Sequence, residues 1–179
     1  MKSAMVVRAR AVAELQLRSM PVRLAHVRGV ASTAVVLARR LDAVSRTTLL
    51  SAAWLHEVGH CEALRVTGFA PLDGARFVHV SGFDDTVVSL VAHHSGAIYE
   101  ARERGLLPKL AAVRRPPQKL LDALTYCDLT TGRFGFRTTP REHLEEKLQQ
   151  QRPGDPIHRA ILAAHDELLA SVARVQTWM

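Results

Sequence analysis

The stretch Ala52-Ala-Trp-Leu-His-Glu-Val-Gly-His-Cys61 decides how the chain is read. It sets His56, Glu57 and His60 close together behind an apolar run. If a helix continued through it, His56 and His60 would stand one turn apart on one face, with Glu57 turned away. Three metal-ligating side chains in so short a segment point to chemistry rather than packing. Read literally, HEVGH fits HExxH, in which two histidines hold zinc and the glutamate acts as general base for peptide hydrolysis. The extended peptidase form fails at Ala63 and Val66. No segment shows the period-two alternation of a strand that could hold a peptide, so this zinc metallopeptidase reading is the lesser alternative.

Outward from that stretch, the composition favours helices. Of 179 residues, 47% are apolar, enough for a sizeable core, while only 5% are aromatic. Ala, Leu, Val and Arg dominate, which suits helix better than sheet. The formal charge is +7, but the basic residues are scattered, with Arg39-Arg40 and Arg114-Arg115 the only adjacent pairs and no aromatics between them. Nucleic acid is therefore not an expected partner. Cys61 and Cys127 form no C-x-x-C pair, as expected of a reducing, cytoplasmic setting. No run of 18 apolar residues suggests a membrane span, and the N-terminus lacks the apolar core of a signal peptide.

Taken in order, helical spacing covers Val6 to Leu17, and Ser19-Met-Pro21 breaks it. Pro21 opens a second helix to about Leu41, with His26 near its start. Ser45 is the expected cap of a buried helix that delivers His56, and Gly59 is expected to stop it. The segment 66–74 reads as a loop leading to a short helix through Phe77. Asp84-Asp85 cap a further buried helix ending in His93-His94. An amphipathic segment runs from Ile98 to Arg104, and Pro116-Pro117 start a helix that carries Asp122 and Asp128 and closes at Gly132. Thr139 and Glu142 have the spacing of a capping box, and the last helix runs from Ile157 to Trp178. The expected organisation is all-α: a helical extension over 1–19, a main domain over 20–135, and C-terminal helices over 136–179 packed back onto it.

His26, His56, His93, His94 and Asp128 fall in four separate elements, and buried helices gain nothing in packing from imidazoles. A shared metal is the economical account. Mixed imidazole and carboxylate donors suit a divalent Mn, Fe, Zn, Co or Ni and leave positions open for water and a phosphate oxygen.

The order His26, then His56-Glu57, then His93-His94, then Asp128 resembles the H…HD…D series of the HD-domain superfamily of metal-dependent phosphohydrolases, with the HH pair of its HD-GYP relatives. The resemblance covers roughly residues 20 to 135 and implies an HD-domain-like helical bundle. It further implies His26, His56, Glu57 and Asp128 as metal ligands, and hydrolysis of a phosphate ester, often a nucleotide. His60 stands where the HD-GYP proteins carry a Lys, which makes it a donor to substrate phosphate; of His93 and His94, one is expected to face the site and assist. Two departures stand out. Glu57 occupies the place of the bridging Asp, and Ala70 that of a further His, so a single metal is expected at most. If the site has been retired, the alternative is a degenerate HD domain that senses nucleotides or binds protein. His79, His143, His158 and His165 sit among polar neighbours and read as surface residues, and Asp73 and Arg76 read as a solvated Asp and a surface Arg. The apolar face of the last helix would suit a homodimer as well as an intrachain contact.

Overall fold

The computed structural model of the chain describes residues 2–179, with side chains from residue 4 onward. The first helix, α1 (Lys2–Gln16), buries Ala9 and Ala13, and Leu17 follows it into the core. These small side chains let α1 lie close along α3. The second helix, α2 (Pro21–Leu37), starts on its proline and buries His26, Val27, Val30, Ala31, Ala34 and Leu37, one stripe at three- and four-residue spacing. Next, α3 (Ala43–Leu55) is capped by Asp42, whose Oδ1 accepts from the amides of Val44 at 2.9 Å and Ser45 at 3.0 Å. The helix thus begins before Ser45, the expected cap. A carboxylate at the positive end of the helix is an acceptor at least as good as a hydroxyl and carries charge that the helix dipole favours.

The rest of the chain wraps this central rod. The hairpin of α4 (Ala70–Val80) and α5 (Asp85–His93) brings α5 against α3, and α4 begins earlier and runs longer than the loop-then-short-helix reading allowed. After α6 (Ala97–Glu103) comes a short α7 (Leu107–Ala111), absent from the sequence reading, and then α8 (Gln118–Leu129), which is buried from Leu120 onward. Residues 130–138 turn back in a loop pinned by one antiparallel bridge between Thr131 and Arg137. Next, α9 (Pro140–Gln149) opens with the expected capping box, Thr139 with Glu142. Finally α10 (Pro156–Gln176) lies across α6 and α8. Its stripe of Ala160, Ala164, Leu168, Ser171, Val172 and Val175 is buried within the chain. The architecture is all-α, and no helix among the described residues is long and apolar enough to cross a membrane.

Two glycine contacts place the residues that matter. A Cβ on Gly29 of α2 would lie 2.4 Å from the Gly135 carbonyl oxygen, and one on Gly135 (φ 82°) would lie 2.4 Å from the Ala25 carbonyl oxygen. Only paired glycines let the 130–138 loop rest on α2. A Cβ on Gly59 would come within 1.9 Å of the Ala70 carbonyl oxygen, so the turn after α3 is clamped to the start of α4 in the same way.

Candidate metal centre

Helix α3 ends at Leu55, and His56 is its C-terminal cap. Glu57 (φ −103°, ψ 0°) leaves helical geometry, and Val58, Gly59 and His60 form a 3₁₀ turn. The clamp at Gly59 forces this break. As a result His56 and His60 do not share a helix face, and the HExxH arrangement is not formed. His56 instead points inward, 1% exposed, where it meets His26 of α2 and Asp128 at the end of α8. One donor atom from each of these three lies within 4.8 Å of the others.

The hydrogen bonds fix what each ring offers. His26 Nδ1 lies 3.2 Å from the Gly132 carbonyl oxygen, His56 Nδ1 2.9 Å from that of Ala53, and His94 Nδ1 2.7 Å from that of Val91. A carbonyl oxygen only accepts, so each Nδ1 carries a proton and donates, and the neutral rings of His56 and His94 keep their lone pairs on Nε2. His56 Nε2 is buried without a partner. His26 Nε2 faces Asp128 Oδ1 at 3.0 Å. A separation of this size is what two donors to one metal show when each sits about 2.1 Å from it. Imidazoles held by Nδ1 donation to main-chain carbonyls are also the usual arrangement of histidine ligands. The residues present therefore fit a divalent metal held by His26, His56 and Asp128.

Electrostatics supports the same assignment. Burial pushes the His56 imidazole well below its ordinary pKa, although the Asp128 charge opposes this, so the ring stays neutral and able to ligate. Burial also opposes ionisation of Asp128, but Lys147 and His26 outweigh it and hold the carboxyl well below the usual range. Ser95 donates its hydroxyl to Asp128 Oδ2, fixing the carboxylate. Ser95 does so with φ 45°, a left-handed conformation rare for a residue with a side chain, immediately before Gly96 at φ 78°. Such backbone persists where surrounding structure holds it.

The other expected residues are placed differently. Glu57 was expected among the ligands, yet its carboxylate is ion-paired with Arg23 and it stands outside the trio. His60 Nε2 lies 3.5 Å from Glu57 Oε2, on the cavity wall. His94 is buried beside His56, with ring centroids 5.3 Å apart, whereas His93 turns away and bonds to the Val113 carbonyl at 3.0 Å. Ala70 contributes no donor and packs on Gly59. Asp73, which the sequence placed in solvent, is buried and accepts from the Thr67 amide and hydroxyl and the Gly68 amide, closing the turn ahead of α4. His79 is exposed, and His158 and His165 are half-buried.

His143 corrects the sequence reading most sharply. It was expected on the surface, yet it is 3% exposed, with its ring 5.9 Å from that of His26 and its Nε2 4.0 Å from Asp128 Oδ1. Its signal was weak: one His in the polar segment PREHLEEKLQ, which becomes buried only because α9 folds over the end of α8.

A cavity of about 800 Å³ opens beside the trio. Arg23, His60, Arg133 and Lys147 line its charged side; Leu144, Ile157, Ile161 and Leu168 of α9 and α10 form an apolar wall.

The family model described as HD domain matches residues 23–128, from the first turn of α2 to the aspartate of the trio. No curated protein and no solved structure matches the chain. A match over more than half of the length, beginning and ending around the donors that the fold gathers, makes this chain a member of the HD domain family, within the superfamily of metal-dependent phosphohydrolases.

Proposed function

We propose that the protein is a metal-dependent phosphohydrolase acting on a phosphate ester with an organic group the size of a nucleoside. The observation that carries this reading is the convergence of His26, His56 and Asp128, one ligand atom from each within 4.8 Å of the others, with His56 Nε2 buried and bare. A bound divalent cation supplies an acidified water and neutralises charge on the phosphoryl oxygens. The chain does the rest. His26, His56 and Asp128 hold the cation, and Ser95 keeps Asp128 turned towards it. Arg23 and Lys147 raise the positive potential where the phosphate enters. His94 Nε2, with Nδ1 committed to Val91, presents a lone pair that can take a proton from water at the site. The apolar wall of α9 and α10 accommodates the organic group, and a nucleotide fits the space. The free Cys61 and Cys127 are in keeping with a reducing compartment, the cytoplasm.

One observation favours a second reading. Glu57 is drawn to Arg23 rather than to the ligand trio, which weakens the site relative to one with a fourth protein donor. In that reading the helical body binds a nucleotide or a protein without turning it over.

Elemental analysis of purified protein, before and after incubation with Mn or Ni, followed by phosphate release from a nucleotide panel, separates the two. About one metal per chain and turnover that both vanish in His56→Ala are expected. A protein that takes up metal but hydrolyses nothing would favour the second reading, and turnover indifferent to His56 would sink the first.

A further inference from the structure

Helix α9 lies outside the matched segment 23–128, yet it sends two side chains to the centre of the site. His143 and Lys147 stand four residues apart, one turn, and so share a face. Leu144, 2% exposed, anchors the helix between them, and the Thr139 capping box sets its start. From that face His143 Nε2 reaches to 4.0 Å from Asp128 Oδ1 and Lys147 Nζ to 3.9 Å from Oδ2. Both distances exceed a hydrogen bond, so neither group is satisfied by the carboxylate. Both ring nitrogens of His143 are buried without a partner. Leaving such a group unpaired costs about 1–3 kcal/mol, so a purely structural histidine here would be a net loss. Both residues line the cavity, as does His26.

We propose that His143 and Lys147 form a phosphate clamp: the His143 Nε2–H and the Lys147 ammonium donate to two oxygens of the substrate phosphoryl group at the metal. The inference rests on the phosphohydrolase reading for its substrate, but the anion contact itself does not depend on turnover. The clamp gives Nε2 of His143 a partner and Lys147 an anion that it can touch. It adds to the site, from outside the HD segment, two donors beside the trio.

The test uses the full chain and inorganic phosphate. Phosphate affinity is measured by calorimetry on Mn-loaded and on metal-free protein, and Mn affinity is measured separately without phosphate, for wild type, His143→Phe, His143→Gln and Lys147→Met. Lys147 is partly exposed, so its variant should fold even if a change at position 143 does not. Expected are a roughly tenfold weaker phosphate affinity in His143→Phe and in Lys147→Met, partial recovery in His143→Gln, and Mn affinity within about twofold of wild type in all. Phosphate binding that ignores both residues would overturn the clamp while leaving the hydrolase standing. Loss of Mn affinity in His143→Phe would also overturn it, because His143 would then be a metal ligand. A wild type that takes up no metal, but whose phosphate binding still falls in both variants, would retire the hydrolase and keep the clamp. No phosphate binding in either form of the wild type would end it.

Discussion

Two buried aspartates lie six residues apart on α8, and their surroundings are opposite. Asp122 is 4% exposed, and its carboxylate is filled: Arg174 donates through Nε and Nη2 at 2.8 Å each, Ser171 at 2.7 Å and Gln118 at 2.8 Å. Asp128 is 1% exposed, and one oxygen accepts from Ser95 while the other faces His26 Nε2 at 3.0 Å. The first ties α8 to α10 with every acceptor used. The second turns towards imidazoles, with the bare Nε2 of His56 close by. Burial alone does not distinguish a structural carboxylate from a functional one; whether its hydrogen bonds are complete does.

The largest expected effect breaks this comparison in one step. Asp128→Asn should cut Mn affinity at least about a hundredfold and cost less stability than Asp122→Asn, because it removes a ligand that few groups satisfy. Asp122→Asn should do the reverse, costing roughly 2 kcal/mol of stability with Mn affinity unchanged. Denaturant midpoints and metal titrations on the two variants check both halves. If Asp128→Asn were the less stable protein, the contrast would be wrong.

A smaller effect sharpens it by pH. Burial disfavours the charge on Asp122, but hydrogen bonds from Arg174, Ser171 and Gln118 outweigh that and lower its pKa on folding. The unfolded carboxyl titrates at about 3.9, so the stabilisation is complete above that pH and lost as pH falls through the depressed folded value. The stability gap between wild type and Asp122→Asn should be flat from pH 7 to about 5 and shrink below about 4. A gap that widened on acidification would mean that the charge is not what holds α10.

The smallest effect concerns the orientation of α9. Thr139→Ala removes the hydroxyl of the capping box and should cost about 1 kcal/mol. If the cap also aims His143 and Lys147, phosphate affinity should fall a few-fold in the same variant, with Mn affinity unmoved.

Most helices, and the His26, His56 and Asp128 positions, were legible in the sequence, because helical periodicity, prolines and caps are local signals and the spacing of the histidines has a family pattern. The end of α3 was visible as Gly59, but not its consequence, since only the contact with Ala70 shows that the chain must break before His60. The choice between His93 and His94 was open in sequence; in the fold His94 lies buried beside His56, while His93 turns to the Val113 carbonyl. Asp73 and His143 were misread for one reason. His143 sits among polar neighbours and Asp73 in a stretch that reads as a loop, and their burial comes from how the chain folds around them, information that a local window does not carry. Glu57 shows a different limit: its position was identified, but which of two partners a longer side chain reaches depends on where Arg23 lies.

The contact between Gly29 and Gly135 extends the set of positions that the chemistry constrains. The loop that rests on α2 through this pair carries the Gly132 carbonyl that holds the His26 ring. Any side chain at either glycine would push that carbonyl away and free the imidazole to rotate. Over evolutionary time the two positions are thus bound to one another and to a ligand that neither touches. A lineage that kept the metal would be expected to keep both glycines, and one that abandoned the metal would be free to lose them together.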